Sequence, residues 1–226
     1  MFKKQVLIAT AMLAVTVQPG FATSPSDAQQ GDLPGTSAIQ DGSFTWAPLA
    51  FVRFCMSNPD ECSAQSSENS VVLDGDKWRA MNEVNHLVNA RIEPDPTTGG
   101  RSAWSLTTAR GDCNDYAVQK RHELMARGWP AAALALAVVM TDTGKGHLVL
   151  SVRTDRGDVV LDNLQEKIVP WESANYRWIK RQSASNPQYW VEVTGATEAA
   201  YEHASVTPDT APAASDAITV ASAKDE

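Results

Sequence analysis

The chain is short of basic residues, with 19 Lys and Arg against 27 Asp and Glu and a formal charge of −8. That balance excludes a phosphate-neutralising surface, so neither nucleic acid nor anionic membrane is an expected partner. Long apolar runs are missing too. The longest, residues 5–17, is too short to cross a bilayer comfortably. An integral membrane protein is therefore not expected. No internal repeat recurs along the 226 residues. Histidine is limited to four residues and cysteine to three, which leaves few side chains for imidazole or thiol chemistry.

What is present begins with an address label. Met1-Phe2-Lys3-Lys4 supplies a positive start, Pro19-Gly20 interrupts the apolar run, and Gly20-Phe21-Ala22 has the small-x-small pattern of a signal-peptidase site. Residues 1–22 are expected to be a signal peptide that delivers a soluble product to the periplasm or beyond. The alternative is a single anchoring helix. Cleavage removes Lys3 and Lys4 and no acid, taking the formal charge to about −10. Residues 23–40, rich in Ser, Asp, Gln, Gly and Pro, read as a disordered linker. Residues 195–226, built from Ala, Thr, Ser, Pro and acids, read as a disordered tail. Between them, residues 41–194 are enough for one domain of roughly 155 residues with its own core.

In an oxidising compartment three cysteines imply one bridge and one thiol left over. Cys55 and Cys62 flank Asn58-Pro59-Asp60, a turn signal that can bring the two together as a disulfide. No histidine or third cysteine accompanies them at zinc-ligand spacing. Cys113 remains, and a free thiol there is either buried and inert or put to use. It sits in Gly111-Asp112-Cys113-Asn114-Asp115, ahead of a helix expected over 116–127 that ends at Gly128 and Pro130. Asp112 reads as the N-cap and Asp115 as its capping-box partner, placing Cys113 in the first turn. There the helix dipole favours thiolate, and the unpaired backbone N–H groups can receive a developing oxyanion.

A thiolate nucleophile needs an imidazole. His86 lies in an earlier amphipathic helix and His203 in the tail. His122 is nine residues past Cys113 on the same helix, about 180° around and about 13 Å along the axis, out of reach. His147 begins a strand, 147–153, that follows a strand over 131–140 and precedes another over 158–162. Along 131–140 the small Ala133, Ala135 and Ala137 alternate with Leu134, Leu136, Val138 and Met140, and the small face suits close packing by a helix. Asp162 ends its strand towards the edge where His147 starts. A carboxylate there can fix the imidazole tautomer. A two-residue turn at Arg156-Gly157 would set Asp162 opposite Ser151, four residues from His147, so contact needs a bulge or another turn. An Asp before Asn163 also reads as a plain turn residue.

In this order and spacing the residues resemble the bacterial transglutaminase-like cysteine proteinases. The resemblance rests on Trp104, Gly111-Asp112-Cys113-Asn114-Asp115-Tyr116-Ala117, Gly146-His147-Leu148-Val149-Leu150 and Val160-Leu161-Asp162-Asn163-Leu164, together with the Cys55/Cys62 loop and Lys180-Arg181-Gln182-Ser183. It implies an α+β, papain-like or transglutaminase-like core, with the catalytic helix packed on an antiparallel sheet. It also implies a triad of Cys113 as nucleophile, His147 as base and Asp162 as orienting acid. Periplasmic members cut large surface adhesins at paired alanines, bind calcium through acids beside the cysteine, and are sequestered by a membrane receptor that responds to cyclic di-GMP. The implied calcium ligands are Asp112, Asn114 and Asp115. This chain departs from the common Asp-Cys-Glu-Asp at Asn114, which keeps an oxygen but loses a charge and so weakens such a site. The chemistry itself needs no cofactor.

The same triad would serve acyl transfer or amide hydrolysis on another substrate, and a binding module could keep the scaffold with little chemistry. Among the aromatics, Trp129, Trp171, Trp178 and Trp190 read as packing residues and Trp104 as a lining of the substrate cleft. Arg177, Lys180 and Arg181 read as a solvated face.

Overall fold

A computed structural model describes residues 33, 35–63, 68–95 and 103–194. The expected signal peptide, the tail after residue 194 and His203 lie outside them. Strand β1 (Gln40–Thr45) is followed by helix α1 (Leu49–Ser57), a 3-10 turn (Pro59–Cys62), the long helix α2 (Gly75–Arg91) and two short parallel-paired strands, β2 (Glu93–Pro94) and β3 (Arg110–Gly111). Helix α3 (Cys113–Ala126) leads into β4 (Leu134–Met140), β5 (Gly146–Thr154), β6 (Gly157–Leu161), β7 (Val169–Pro170), β8 (Arg177–Gln182) and β9 (Trp190–Thr194). The main sheet runs β1-β9-β8-β4-β5-β6-β7 with every neighbouring pair antiparallel. The class is α+β, as the resemblance implies.

Local chemistry accounts for the helices. The Asp74 side chain caps α2 by accepting the Lys77 N–H at 2.7 Å. Met81, Val84 and Val88 recur at helical spacing, and all are buried together with Ile92 just past the helix end. Helix α3 stops where Gly128 adopts φ of 81° and Trp129 donates its N–H back to Leu124.

One core cluster joins α1, α2 and α3 to Leu134, Leu136, Leu148, Leu150 and Val152 of the sheet. A second fills the other face, where Ala137, Val139, Val149 and Val160 meet Trp171 and Trp178. This reverses the expected use of β4: its large leucines meet the helices, and its small face makes room for two indoles. Strand β4 also begins later than expected, because 131–133 form a 3-10 turn.

The boundary expected at residue 40 falls inside an anchored segment. Ile39 is buried and donates its N–H to Asp158 at 2.7 Å, and Thr36 donates to the Arg156 carbonyl at 2.8 Å. A side chain on Gly157 (φ 101°) would strike the carbonyls of Thr36 and Ser37, so that position requires glycine. Arg181 is likewise not on a solvated face. It is 2% exposed and binds Asp41 at 2.6 Å, Asp158 at 3.0 Å and the Ile39 carbonyl at 2.8 Å. The forked guanidinium thus ties the incoming chain to β6 and β8.

The Cys55–Cys62 disulfide is formed. Beside it, buried Glu61 places one carboxylate oxygen 3.4 Å from Arg121 and the other 2.5 Å from His122 Nδ1, both on α3. That gives His122 its partner and pins the 3-10 turn after α1 to the helix that carries Cys113.

Replacing Arg181 by Met should cost about 3–5 kcal/mol, because Asp158 stays buried without its cation. Urea unfolding of the two proteins measures the difference, and a loss below about 1 kcal/mol would contradict the assignment.

Candidate active site

The nucleophile position is built by a reciprocal cap. The Asp112 side chain accepts the Asn114 N–H at 3.0 Å, and the Asp115 side chain returns to the Asp112 N–H at 3.0 Å. The other Asp115 oxygen accepts the Ser105 N–H at 2.8 Å. The expected capping box is therefore present, and it also fastens the preceding loop. Gln119 strengthens that hold through bonds to the Ser105 and Thr108 carbonyls, each 3.2 Å. Cys113 is the first residue of α3, half-buried and unpaired.

His147 is the second residue of β5, which packs on α3, and is 7% exposed. The turn before β6 falls at Asp155-Arg156, one residue earlier than expected. Leu150 therefore faces Leu161, and Asp162 comes level with Val149, two residues from His147 instead of four. This register replaces the bulge that the later turn would have needed. His147 Nε2 and Asp162 Oδ1 lie 2.8 Å apart. Nε2 thus carries the proton given to Asp162, which leaves Nδ1 to serve the Cys113 thiol, whose influence helps to raise the His147 pKa.

Asp162 is held from several sides. Its Oδ1 also accepts the Leu164 N–H at 3.1 Å, its Oδ2 accepts the Tyr176 hydroxyl, and its backbone carbonyl accepts Asn89 Nδ2 at 2.9 Å. Tyr176 lies over His147 with ring centroids 5.6 Å apart. Sequence reasoning missed Tyr176, whose loop position beside Asn175 (φ 25°) carries no periodic signal.

The charges follow from these contacts. Burial pulls the His147 pKa down, but hydrogen bonds and charge from Asp162 and Cys113 outweigh it and raise the value to about 9. Burial would raise Asp162; the bond and charge of His147, then Tyr176 and Leu164, reverse that and hold the carboxyl below its ordinary range. Burial and then Asp162 push the Tyr176 phenol upward, so it remains a donor.

Two expectations change. Trp104 does not line an open cleft: it is 6% exposed and packs between Phe51 and Phe54, with centroids 6.0 and 5.9 Å away. Its bulk supports the loop before Cys113 from within. Asp112, Asn114 and Asp115 do sit together, but as the cap. Both Asp115 oxygens receive backbone N–H groups, and the Asn114 amide donates to Asp112 at 2.9 Å. Among the described residues no group of three or more His, Cys, Asp or Glu is arranged for a metal. Calcium takes six to eight oxygens, so an ion here would draw on carbonyls or water besides these side chains.

A carboxylate-oriented imidazole beside a thiol at a helix N-terminus is the arrangement needed to attack an acyl carbon. Comparison with known proteins agrees on the family. The model for the bacterial transglutaminase-like cysteine proteinases matches residues 41–198. No curated protein matches significantly. Among solved structures, Legionella pneumophila LapG is similar at 22% identity, covering 63% of this chain and 76% of that one, with a TM-score of 0.44. Its calcium-bound form gives 21% identity over 63% and 77% with 0.42, and its EGTA-treated form 23% over 58% and 71% with 0.42.

Because the folded His147 value lies above the ordinary 6.5, its imidazolium adds stability that is complete below about pH 6.5 and lost as pH rises through about 9. Alkylation of Cys113 should accordingly keep its imidazolium-dependent rate up to about pH 9. In Asp162→Asn the upper limb should fall towards 6.5; an unmoved limb would remove Asp162 from the site.

Proposed function

The chain belongs to the bacterial transglutaminase-like cysteine proteinases, and we propose that this cysteine peptidase is an exported endopeptidase working through Cys113, His147 and Asp162. The observation that carries the reading is His147, bonded through Nε2 to Asp162 at 2.8 Å, with the half-buried Cys113 thiol that acts on its charge at the N-terminus of α3. The Cys113 thiolate attacks a peptide carbonyl carbon, forming an S–C bond and an oxyanion. Asp112 takes the Asn114 and Asp115 N–H groups, so the Cys113 N–H is the candidate donor to that oxyanion. His147 gives its Nδ1 proton to the amine as the C–N bond breaks, leaving a thioester. Water, deprotonated by the same nitrogen, then attacks the thioester and returns the thiol.

The substrate in this reading is a large cell-surface adhesin cut at paired alanines, and an inner-membrane receptor sequesters the enzyme. Family resemblance supports both. The signal-peptide pattern and the Cys55–Cys62 bridge support a periplasmic or secreted location. For calcium we propose that the cap, rather than an ion, organises the loop at Asp112, Asn114 and Asp115.

Two measurements test these statements. Mature protein should cleave the N-terminal segment of an adhesin while Cys113→Ala, equally folded by circular dichroism, should not; undiminished cutting by the variant would overturn the reading. Exchange of calcium for a chelator should change the Cys113 alkylation rate by less than about twofold, and a tenfold dependence would restore the ion.

A further inference from the structure

Tyr176 touches two of the three catalytic groups at once. Its hydroxyl donates to Asp162 Oδ2, and its ring lies over His147 with centroids 5.6 Å apart and planes inclined by 56°. Asp162 offers its other oxygen to His147 Nε2 at 2.8 Å and to the Leu164 N–H at 3.1 Å. Both ends of the carboxylate are therefore taken, and turning it would break bonds at each end. A phenylalanine would fill the same space. The hydroxyl adds a bond to a charged acceptor, which is stronger than one between neutral groups.

The backbone before Tyr176 is held so as to aim it. A 3-10 turn, Trp171–Ser173, leads into β8 across Ala174, Asn175 and Tyr176. Trp171 Nε1 donates to the Ser37 carbonyl at 3.0 Å, and Glu172 accepts the Ser37 N–H at 3.1 Å. Beyond the loop, Trp178 meets Trp171 edge-on at 5.8 Å, and buried Ala174 joins the same cluster. Both ends of this short connection are fixed. Between them Asn175 takes φ of 25°, the one positive value of a non-glycine among the described residues. Such a backbone costs on the order of 1 kcal/mol and persists where its surroundings enforce it. Here the next residue is the one that reaches Asp162.

The phenol keeps its proton. Burial and then Asp162, joined by Asp142 in the turn before β5, push it upward, and Gln165 does not offset them. Tyr176 thus answers the carboxylate as a neutral donor.

We propose that Tyr176 is a positioning residue for the catalytic pair: its hydroxyl fixes the Asp162 carboxylate, and its ring covers the imidazole against rotation and water. It acts through Asp162 and His147, and the inference rests on the triad reading above. In that reading His147 gives a proton from Nδ1 and later takes one there. The imidazole must keep one orientation through both changes of charge.

Tyr176→Phe keeps the ring and removes the hydroxyl, whereas Tyr176→Leu removes both. On the adhesin segment, kcat should fall about tenfold in Tyr176→Phe while KM stays within about twofold of wild type. A merely structural tyrosine would lower the melting temperature and leave kcat in place. Wild-type kcat in Tyr176→Phe, with Cys113→Ala inactive, overturns this inference and spares the triad. Undiminished cutting by Cys113→Ala overturns the triad reading and this inference with it.

A second measurement needs no turnover and holds whatever substrate the enzyme takes. In protein labelled with nitrogen-15 histidine, His147 should titrate near 9 and show a slowly exchanging Nε2–H proton. In Tyr176→Phe that proton should stay sheltered. In Tyr176→Leu its exchange should quicken by about tenfold or more, and the titration should move towards the ordinary 6.5 as water reaches the pair. Exchange and titration unchanged in Tyr176→Leu overturn the inference. If that variant does not fold, the kcat of Tyr176→Phe decides alone.

Discussion

The Asp115 carboxylate is the constraint on which the site depends. One oxygen closes the first turn of α3 through Asp112, and the other catches the Ser105 backbone. The loop before the nucleophile and the helix after it are therefore fixed to one group. Gly111 has no room for a side chain, because a Cβ there would overlap this same carboxylate. Cys113 is presented at the helix start by bonds that lie wholly within its own neighbourhood.

That locality explains what the sequence made legible. The cap at Asp112 and Asp115, the stop at Gly128 and the Cys55–Cys62 turn all involve residues a few positions apart, where composition and spacing carry the signal. Elimination of His122 by helical geometry also held, and its real partner, Glu61, is 61 positions away. What escaped depends on packing between distant segments. Trp104 is an aromatic near a catalytic cysteine in sequence, yet its neighbours Phe51 and Phe54 come from α1 and take it into the core. Arg181 looks like a surface cation until Asp41 and Asp158 are brought to it. The Asp155-Arg156 turn differs by one residue from the Arg-Gly reading, and in an antiparallel pair that single step moves Asp162 by two positions along its neighbour.

The interior around the site holds many polar side chains. Asp162, Tyr176, Asn89 and His147 form one connected group, while Glu61, Arg121 and His122 form another on the far side of α3. Helix α3 consequently has almost no amphipathic contrast: residues 114–121 are buried together, charged and apolar alike. Such a helix is held in place by specific bonds more than by a greasy stripe, which suits an element whose first residue must be set to within fractions of an ångström.

The disulfide also bears on the order in which sulfurs pair during folding. Cys55 and Cys62 are separated by seven residues, whereas Cys113 lies 51 positions beyond Cys62. For a flexible chain, that difference in loop length favours the short pairing by on the order of tenfold in encounter probability. The short pair therefore closes ahead of either long pairing whenever the chain meets an oxidant. The loop thus acts as a chaperone in cis for the thiol, sparing it from mispairing before the helix that shelters it has formed.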